Sequence, residues 1–316
     1  MGSVKDLKLL EKPSSSKEGL GIFYFTDDYS VFDYGKMPDT IPDKGAALCR
    51  MSAYNFEQLK RIGIKSHFLE LVSNNEMKVK LVRVLDPKKF DLSKEKGNYL
   101  VPLEVIFRNS LPSGSSLLKR LNNKEVTLAD LGLKEMPREG TKLKDPILDV
   151  STKLEEKDRY LKWAEAQAMS GLPDKKFQEL KETALKVNEF LTEKADSIGL
   201  EHADGKIEFG VSANSDLMIV DVLGTLDENR FLYNGIHLSK QVLRDYYNLT
   251  PWKEEYLKKG KSITPPRLPK QLITIASNMY KAVAEAWIDK KIWNVPKIEK
   301  VVEDYELFLE NTQKMI

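Results

Sequence analysis

The sequence predicts an α+β fold in two parts: an antiparallel β-rich domain at residues 1–100 and a larger α/β domain at residues 101–316 with C-terminal helices. Short apolar and aromatic runs typical of strands dominate the first domain, and one run at helical spacing interrupts them. In the second domain helical and strand patterns alternate, and residues 237–316 are mainly helical. A chain of 316 residues is long enough for two domains and a large core.

The first domain contains one predicted helix among several predicted strands. Apolar residues at helical spacing, including Leu48, Met51 and Leu59, place the helix at residues 45–62. The turn-forming sequence SNNE at residues 73–76 separates two runs that predict a β-hairpin. The predicted strands are residues 4–10, 20–26, 67–72 and 77–84.

The second domain opens on an apolar strand with the sequence YLVPLEVIF. An irregular stretch, two helices and two strands follow it, and the second helix carries its apolar residues on one side. Prolines and glycines then break the helical C-terminal region. In chain order the predictions are strand 99–107, irregular 122–150, helices 155–169 and 174–198, and strands 201–210 and 217–222.

The charge of the chain is nearly balanced. Its 50 basic and 48 acidic side chains give a net charge of +2, which argues against a nucleic-acid backbone or an anionic membrane as the main partner. No apolar run reaches the roughly 18 residues of a membrane span, and the N-terminal sequence lacks a signal-peptide core. We therefore expect a cytoplasmic protein that binds neither nucleic acid nor membrane. The long C-terminal helices are compatible with a homo-oligomer.

Several common catalytic and metal motifs are missing from the sequence. The single cysteine, Cys49, falls in an apolar helical pattern and is expected in the core. The three histidines are scattered, and no Cys/His group has zinc spacing. The sequence also lacks a complete P-loop, a dinucleotide fingerprint and a G-x-S-x-G nucleophile elbow.

The stretch HADGKIEFG at residues 202–210 carries the first candidate site. Side chains of a strand alternate between faces, so Lys206 and Glu208 project together. Asp221 follows a second apolar run, and a carboxylate that closes a buried strand is costly unless it is paired. Glu208 and Asp221, with Lys206 beside them, could hold Mg²⁺ against nucleotide phosphates. An ion-pair cluster between the strands is an equally supported alternative.

The stretch VPLEVIFRNSLPSGSSLLKR at residues 101–120 carries the second candidate site. Its strand delivers Glu104 and Arg108 to a Gly-Ser turn, and a helix is predicted from Ser115–Ser116. A helix N-terminus beside an arginine can bind an anion such as phosphate. The alternative is an ordinary N-cap with a surface arginine.

The loop between the second strand and the first helix is rich in charge. The sequence TDDYSVFDYGKMPDTIPDKGAAL at residues 26–48 contains the three acids Asp27, Asp28 and Asp33, followed by Lys36 and Lys44. Such clusters usually form turns and caps. This one could instead bind a zwitterionic substrate.

Taken together, these stretches resemble the phosphoribosylaminoimidazole-succinocarboxamide synthase (SAICAR synthase) family over nearly the whole chain. The most specific matches are VPLEVIFRNSLPSGS and DGKIEFG; TDDYSVFD, IPDKGAAL and DVLGTLDENR are weaker. The resemblance implies a ligase that joins L-aspartate to carboxyaminoimidazole ribotide, using ATP and Mg²⁺. It also implies that the N-terminal β-rich domain takes part in binding ATP.

The resemblance implies roles for individual residues at the nucleotide end of the site. Glu208 and Asp221 would bind Mg²⁺, with Lys206 close to the phosphates, and these three residues would be the catalytic group. The implied ATP contacts are Lys5 in the N-terminal loop, Lys206, and the segment from Leu100 to Glu104 along the adenine.

It also implies roles at the substrate end. Arg108, Ser115 and Arg230 would hold the ribotide phosphate, and Asp33 would organise the imidazole and aspartate side of the pocket.

Some positions depart from the family pattern. Ser3 stands where the family has lysine, Val222 where it has glutamate, and Leu226 where it has proline. The loop after Arg108 is one residue longer than usual, which leaves the register of Ser115 open. Two alternatives therefore stay in view: another ATP-using phosphotransferase such as a small-molecule kinase, and a non-catalytic nucleotide-binding protein.

Overall fold

Four antiparallel strands form the N-terminal sheet in the computed structural model, which describes residues 4–32, 34–155 and 157–315. The strands are β1 (Lys5–Glu11), β2 (Gly19–Phe25), β3 (Phe68–Leu71) and β4 (Glu76–Leu81). Their order across the sheet is β1–β2–β4–β3. They match the strands predicted from alternation and turn signals closely.

Helix α1 (Lys44–Arg61) packs against the inner face of this sheet. The carboxylate of Asp27 accepts hydrogen bonds from the backbone N–H groups of Asp43 (3.1 Å) and Gly45 (2.9 Å) at the helix start. These groups would otherwise lack partners. A Cβ atom on Gly45 would lie 2.3 Å from the carbonyl oxygen of Phe25, so a glycine is needed for the helix to begin this close to β2.

The main sheet has six strands, and every pairing in it is antiparallel. The strands are β5 (Tyr99–Ser110), β6 (Lys142–Thr152), β7 (Glu201–Val211), β8 (Leu217–Val220), β9 (Asn229–Tyr233) and β10 (Ile236–His237). Their order is β10–β9–β7–β5–β6, and β8 pairs with the C-terminal half of β7.

Helices pack against the main sheet and fill the C-terminal part of the chain, which confirms the predicted α+β class. They are α2 (Ser116–Asn122), α3 (Trp163–Ser170), α4 (Asp174–Asp196), α5 (Gln241–Asn248), α6 (Pro251–Lys259), α7 (Lys270–Ile288) and α8 (Ile298–Met315). Helix α7 packs against both α1 and α8. No helix in the described part of the chain combines the length and apolar character that crossing a membrane requires. The domain boundary at residue 100 stays a prediction.

The two faces of the main sheet differ in chemistry. Val105 and Phe107 on β5, with Ile207 and Phe209 on β7, are almost wholly buried in the main core, which α4 shares. Alternate residues of the same strands point the other way and are largely charged. The apolar face therefore anchors the sheet, and the charged face is left to build a site.

The prediction of an irregular stretch at residues 122–150 is wrong at its C-terminal end. Strand β6 begins at Lys142 and pairs with β5. Pro146 hides it in the sequence, because proline is rare in central strands. Since β6 lies at the edge of the sheet, the proline is tolerated there.

The helix predicted at residues 155–169 is wrong in its first half, since α3 begins only at Trp163. The segment before it folds back on β6 instead: the backbone N–H of Thr152 donates to the carbonyl of Arg159 at 2.9 Å, and that of Leu161 donates to Val150 at 2.9 Å. Strands β9 and β10 were not predicted. This fold-back segment brings Tyr160 to the charged face of the main sheet.

Candidate active site

The register of β5 and β7 organises the charged face of the main sheet. Glu104 lies opposite Glu208, and Arg108 lies opposite Asp204. Because alternate residues of a strand share a face, Lys206 projects between Asp204 and Glu208. The shared orientation predicted for Lys206 and Glu208 is therefore present, and β5 supplies their nearest partners.

Two lysines and three carboxylates form one end of this face. The Nζ atom of Lys206 lies 2.6 Å from Glu104 Oε1 and 3.2 Å from Glu228 Oε2. Lys153, just after β6, contacts Glu208 and lies 3.3 Å from Glu104 Oε1. Glu104 and Glu208 are buried, so the two lysines provide the opposite charge that buried carboxylates need as partners.

Asp221 closes β8 at the same end of the site. Its backbone is left-handed, with φ at 67°, which is uncommon for a residue with a side chain. Lys5 reaches from β1 to contact its carboxylate, while the Nζ of Lys5 lies 4.4 Å from the ring centroid of Phe23. The carbonyl of Asp221 accepts a hydrogen bond from His67 Nε2 at 3.0 Å. Lys5 and His67, both from the N-terminal part of the chain, thus hold Asp221 by its carboxylate and by its backbone carbonyl.

The pKa values in this cluster reflect burial set against neighbouring charge. Burial disfavours the charged form of Asp221, but Lys5 and Lys153 outweigh it and hold its pKa well below the usual range. Burial and the nearby charge of Asp221 raise the pKa of Glu208 to about 7. Burial lowers the pKa of Lys206, yet Glu228 and Glu104 outweigh it and the pKa is raised. Burial of Lys153 is likewise outweighed by Glu208 and Asp221, which raise its pKa, so both Lys153 and Lys206 are cationic at neutral pH.

The donor atoms at this end fit a magnesium ion. Mg²⁺ prefers oxygen ligands and usually takes one or two carboxylates, with water and substrate phosphate completing its shell. Glu208, which lies opposite the last residue of β8, and Asp221, which follows β8, supply two carboxylates. Within the described ranges no three or more histidine, cysteine, aspartate or glutamate side chains are arranged so that they could hold a metal ion, so an all-protein metal cage is absent there.

Arginines and aspartates form the other end of the face. The guanidinium of Arg108, 2% exposed, lies 3.3 Å from Asp149 Oδ2, 3.5 Å from Asp204 Oδ2 and 3.2 Å from the hydroxyl of Tyr160. Arg230 on β9 donates from Nε to Asp204 Oδ1 at 2.8 Å. Arg108 and Arg230 therefore share one carboxylate and stand side by side.

The Gly-Ser turn lies against these arginines. Ser115 precedes α2, and its hydroxyl is buried without a hydrogen-bond partner in the described part of the chain. Ser116 Oγ accepts from Arg108 at 3.2 Å, and the carbonyl of Ser113 accepts from Arg230 at 3.2 Å. The predicted trio Arg108, Ser115 and Arg230 therefore meets at one corner, where the free hydroxyl suits an anionic ligand.

The charged loop between β2 and α1 is mainly structural where it is described. Asp27 caps α1, and Asp28 pairs with Lys36 at 2.8 Å. The predicted site residue Asp33 lies outside the described residues. Lys44 is fully buried and its Nζ lies 2.6 Å from Asp227 Oδ2.

The segment from Leu100 to Glu104 lies at the start of β5 and contacts the chain that follows β4. The backbone N–H of Leu100 donates to the carbonyl of Arg83 at 2.8 Å, and the β5–β7 pairing is interrupted between Leu100 and Glu104. The carboxylate of Glu104 points into the lysine cluster. Contact of this segment with adenine stays a prediction.

Sequence reasoning missed Lys153, Tyr160 and Asp227. Lys153 directly follows β6, ahead of the predicted helix, and Tyr160 lies in the fold-back segment where that helix was expected. Asp227 also accepts from the hydroxyl of Tyr280 at 2.7 Å, so it ties α1 and α7 to the loop before β9. Their local sequences carry no signal of these contacts, which depend on strands and helices distant in the chain.

The histidines His67 and His202 are both buried and uncharged. Burial lowers the pKa of each to about 4. His202 Nε2 lies 3.0 Å from Asn229 Oδ1, and Thr192 Oγ1 lies 2.9 Å from His202 Nδ1. These contacts fit a neutral imidazole that donates to the amide oxygen and accepts from the hydroxyl.

We expect His202 to make stability fall as the pH is lowered. In the unfolded chain His202 takes up a proton near pH 6.5, whereas in the folded protein it stays neutral down to about pH 4. The unfolded state then binds more protons, so lowering the pH from 7 to 5 should cost about 2 kcal/mol through this residue. Urea unfolding of the wild type and His202→Gln at both pH values measures it. An equal pH dependence in the two proteins would contradict the prediction.

Comparison with known proteins places the chain in a family. The SAICAR synthetase family model matches residues 14–259. A putative phosphoribosylaminoimidazole-succinocarboxamide synthase from Archaeoglobus fulgidus is 45% identical over 333 aligned positions, covering 98% of this chain and all of the relative. The synthase from Thermoplasma acidophilum is 36% identical, covering 84% of this chain and 91% of the relative.

Solved structures share the fold at lower identity. A structure described as SAICAR synthetase (Type-2) in complex with ADP has a TM-score of 0.65 and 24% identity, covering 93% of this chain and 98% of the other. The SAICAR synthase from Saccharomyces cerevisiae complexed with SAICAR has a TM-score of 0.67 and 21% identity, covering 91% and 96%. With the family model spanning most of the chain and a relative matching it nearly end to end, the chain belongs to the SAICAR synthetase family.

Proposed function

We propose that the charged face of the main sheet is the active site of an ATP-dependent ligase that joins L-aspartate to carboxyaminoimidazole ribotide, giving SAICAR, ADP and phosphate. As a member of its family, the chain is an ATP-dependent ligase of purine biosynthesis. One observation carries the assignment of the site. Along β7, Glu208, Lys206 and Asp204 stand in a row, with the carboxylate–lysine cluster at one end and the paired arginines at the other.

The carboxylate–lysine end suits the nucleotide. Lys5, Lys153 and Lys206 provide three cations around Glu208 and Asp221. We assign Lys5 and Lys206 to the ATP phosphates, and the segment from Leu100 to Glu104 to the adenine. That a relative of the same fold is described with ADP supports nucleotide binding in this family.

We assign Mg²⁺ to Glu208 and Asp221. When bound there, the ion would neutralise phosphate charge and orient the terminal phosphoryl group. Asp221 is held ionised by its lysine neighbours. Glu208 beside it has a pKa of about 7, and a bound cation would favour its carboxylate form. The protein's own part is to fix these two groups where the last residue of β8 pairs with β7.

The arginine end suits the ribotide phosphate. Arg108 and Arg230 carry planar guanidinium groups that can bind phosphate through two parallel hydrogen bonds. Ser115 adds a buried hydroxyl without a partner in the described chain. With the phosphate held there, the imidazole carboxylate of the ribotide would reach towards Lys206. We keep Asp33 as a proposed contact of the imidazole and aspartate.

The reaction follows from the poor leaving group of a carboxylate. An oxygen of the ribotide carboxylate attacks the γ-phosphorus of ATP, the bond to ADP breaks, and an acyl phosphate forms. The neutral amine of aspartate then attacks the acyl carbon, and phosphate leaves as the amide forms. The site contributes by positioning its substrates and neutralising charge, with Lys206 placed to stabilise the oxygens that gain charge. No nucleophilic side chain is needed.

An isotope experiment tests this route. We expect ribotide labelled with ¹⁸O in its carboxylate to transfer about one labelled oxygen per turnover to inorganic phosphate, because that oxygen becomes the bridge in the acyl phosphate. Mass spectrometry of the phosphate released with aspartate present measures the label. A reaction without aspartate is the control, and steady ATP turnover there would favour a kinase. Unlabelled phosphate alongside normal amide product would contradict the proposed route.

A further inference from the structure

His67 is a buried side chain that none of the assignments above uses. It precedes β3, is 2% exposed, and lies between two aromatic rings, 5.7 Å from Phe23 and 5.5 Å from Phe56 between ring centroids. A polar group buried in such surroundings needs a hydrogen-bond partner. Its partner is the backbone of Asp221.

The hydrogen bond is defined by its acceptor. The carbonyl oxygen of Asp221 can only accept, so the Nε2 atom of His67, 3.0 Å away, carries the proton and donates. The backbone of His67 is fixed as well: its N–H donates to the carbonyl of Ile219 at 2.9 Å, and its carbonyl accepts from Lys80 at 2.8 Å. The backbone that carries the imidazole is therefore held in place by these two hydrogen bonds.

The conformation of Asp221 explains why such a partner is needed. Strand β8 ends at Val220, and the left-handed backbone of Asp221 turns the chain out of the ladder. A carbonyl that leaves the ladder inside the protein loses its usual strand partner. The imidazole supplies the missing donor and so favours the turned conformation, which sets where the carboxylate points.

We propose that His67 is a positioning residue for the proposed magnesium site, holding Asp221 in the orientation from which its carboxylate can bind the ion. The inference rests on the proposed role of Asp221 in binding magnesium. His67 acts only through the backbone of Asp221 and touches neither substrate nor metal. Partners that orient a metal ligand typically change metal affinity by about 10- to 100-fold when they are removed.

The substitutions His67→Leu and His67→Gln separate the hydrogen bond from packing. Leucine fills the space without a donor, whereas the glutamine amide places an N–H near the position of Nε2. Calorimetry measures ADP affinity with and without Mg²⁺, a readout that does not depend on turnover. We expect His67→Leu to reduce the Mg²⁺-dependent gain in ADP affinity by about 10-fold, with affinity in EDTA unchanged. We expect His67→Gln to restore most of the gain.

His202 provides the matched control. It is equally buried and also donates from Nε2, but to the side chain of Asn229 rather than to Asp221. His202→Leu should lower the thermal midpoint without changing the Mg²⁺-dependent gain. If His67→Leu does not fold, His67→Asn replaces it, because the asparagine amide reaches only the Nδ1 position and should behave as a loss of the donor.

The outcomes separate the positioning role of His67 from the assignment of magnesium to Asp221. If Asp221→Asn abolishes the Mg²⁺-dependent gain while His67→Leu or its asparagine substitute keeps it, the positioning role of His67 is overturned and the metal site stands. If Asp221→Asn keeps the gain, the metal assignment fails and the inference fails with it. Equal losses in His67→Leu and His202→Leu would show a general effect of a buried substitution and would also overturn the role.

Discussion

Glu208→Gln and Asp221→Asn are each expected to lower turnover by about 10²- to 10³-fold while leaving the fold intact. Each substitution keeps the shape of the side chain and removes its ability to become a carboxylate anion. The lysines around these carboxylates would then lack a counterpart, and a cation at the proposed magnesium site would lose one of its two protein ligands. Since most of the proposed catalysis is charge neutralisation and positioning, the loss should appear mainly in kcat.

Steady-state kinetics over a range of Mg²⁺ concentrations measures this loss. Glu201→Gln is the matched control, because Glu201 lies on the same strand but pairs with the exposed Lys142 at 2.7 Å. It should retain wild-type turnover. Near-normal rates at saturating Mg²⁺ in both Glu208→Gln and Asp221→Asn would refute the assignment.

Arg108→Lys should weaken ribotide binding by about 10- to 100-fold with ATP affinity little changed. The buried, planar guanidinium of Arg108 donates hydrogen bonds to Asp149, Asp204 and Tyr160. A lysine keeps one charge but has no fork, so it cannot serve these partners and also hold a phosphate through two hydrogen bonds. The KM for ribotide should therefore rise far more than the KM for ATP.

Arg120→Lys is the control for Arg108→Lys. Arg120 also pairs with Asp149, and its guanidinium stacks 3.7 Å from the ring centroid of Tyr160. Both arginines contact Asp149 and Tyr160, but of the two it is Arg108 that pairs with Asp204, beside Arg230. Substitution of Arg120 should therefore disturb ribotide binding less. Substrate titrations of both variants measure the difference. A fall in ATP affinity without a fall in ribotide affinity for Arg108→Lys would mean that the two ends of the site are assigned the wrong way round.

Local patterns predicted the elements that carry most of the site. Alternation along a strand places Lys206 and Glu208 on one face whatever that strand pairs with, so their shared orientation follows from local sequence alone. The turn around Ser115 and the helix after it are likewise local features. The fold class was predictable for the same reason, since periodicity and turn residues identify helices and strands one at a time.

The partners within the site were not predictable. Lys153 and Glu208 meet because β6 and β7 both flank β5, which no local pattern states. The fold-back segment before α3 has the composition of a helix, yet its backbone pairs with β6, so tertiary pairing overrode local propensity. His67 looked like a scattered histidine because its partner lies 154 positions away in the chain.

The contact between Lys5 and Asp221 has a consequence for the order in which the protein can be completed during synthesis. The two residues are 216 positions apart. The N-terminal sheet leaves the ribosome long before β8 and Asp221 do. Domains generally begin to fold as they emerge. During that interval Lys5 on β1 has no Asp221 to contact. The proposed active site therefore cannot be completed until Asp221 has been synthesised, and at that point helices α1 to α4 have been made whereas α5 to α8 have not.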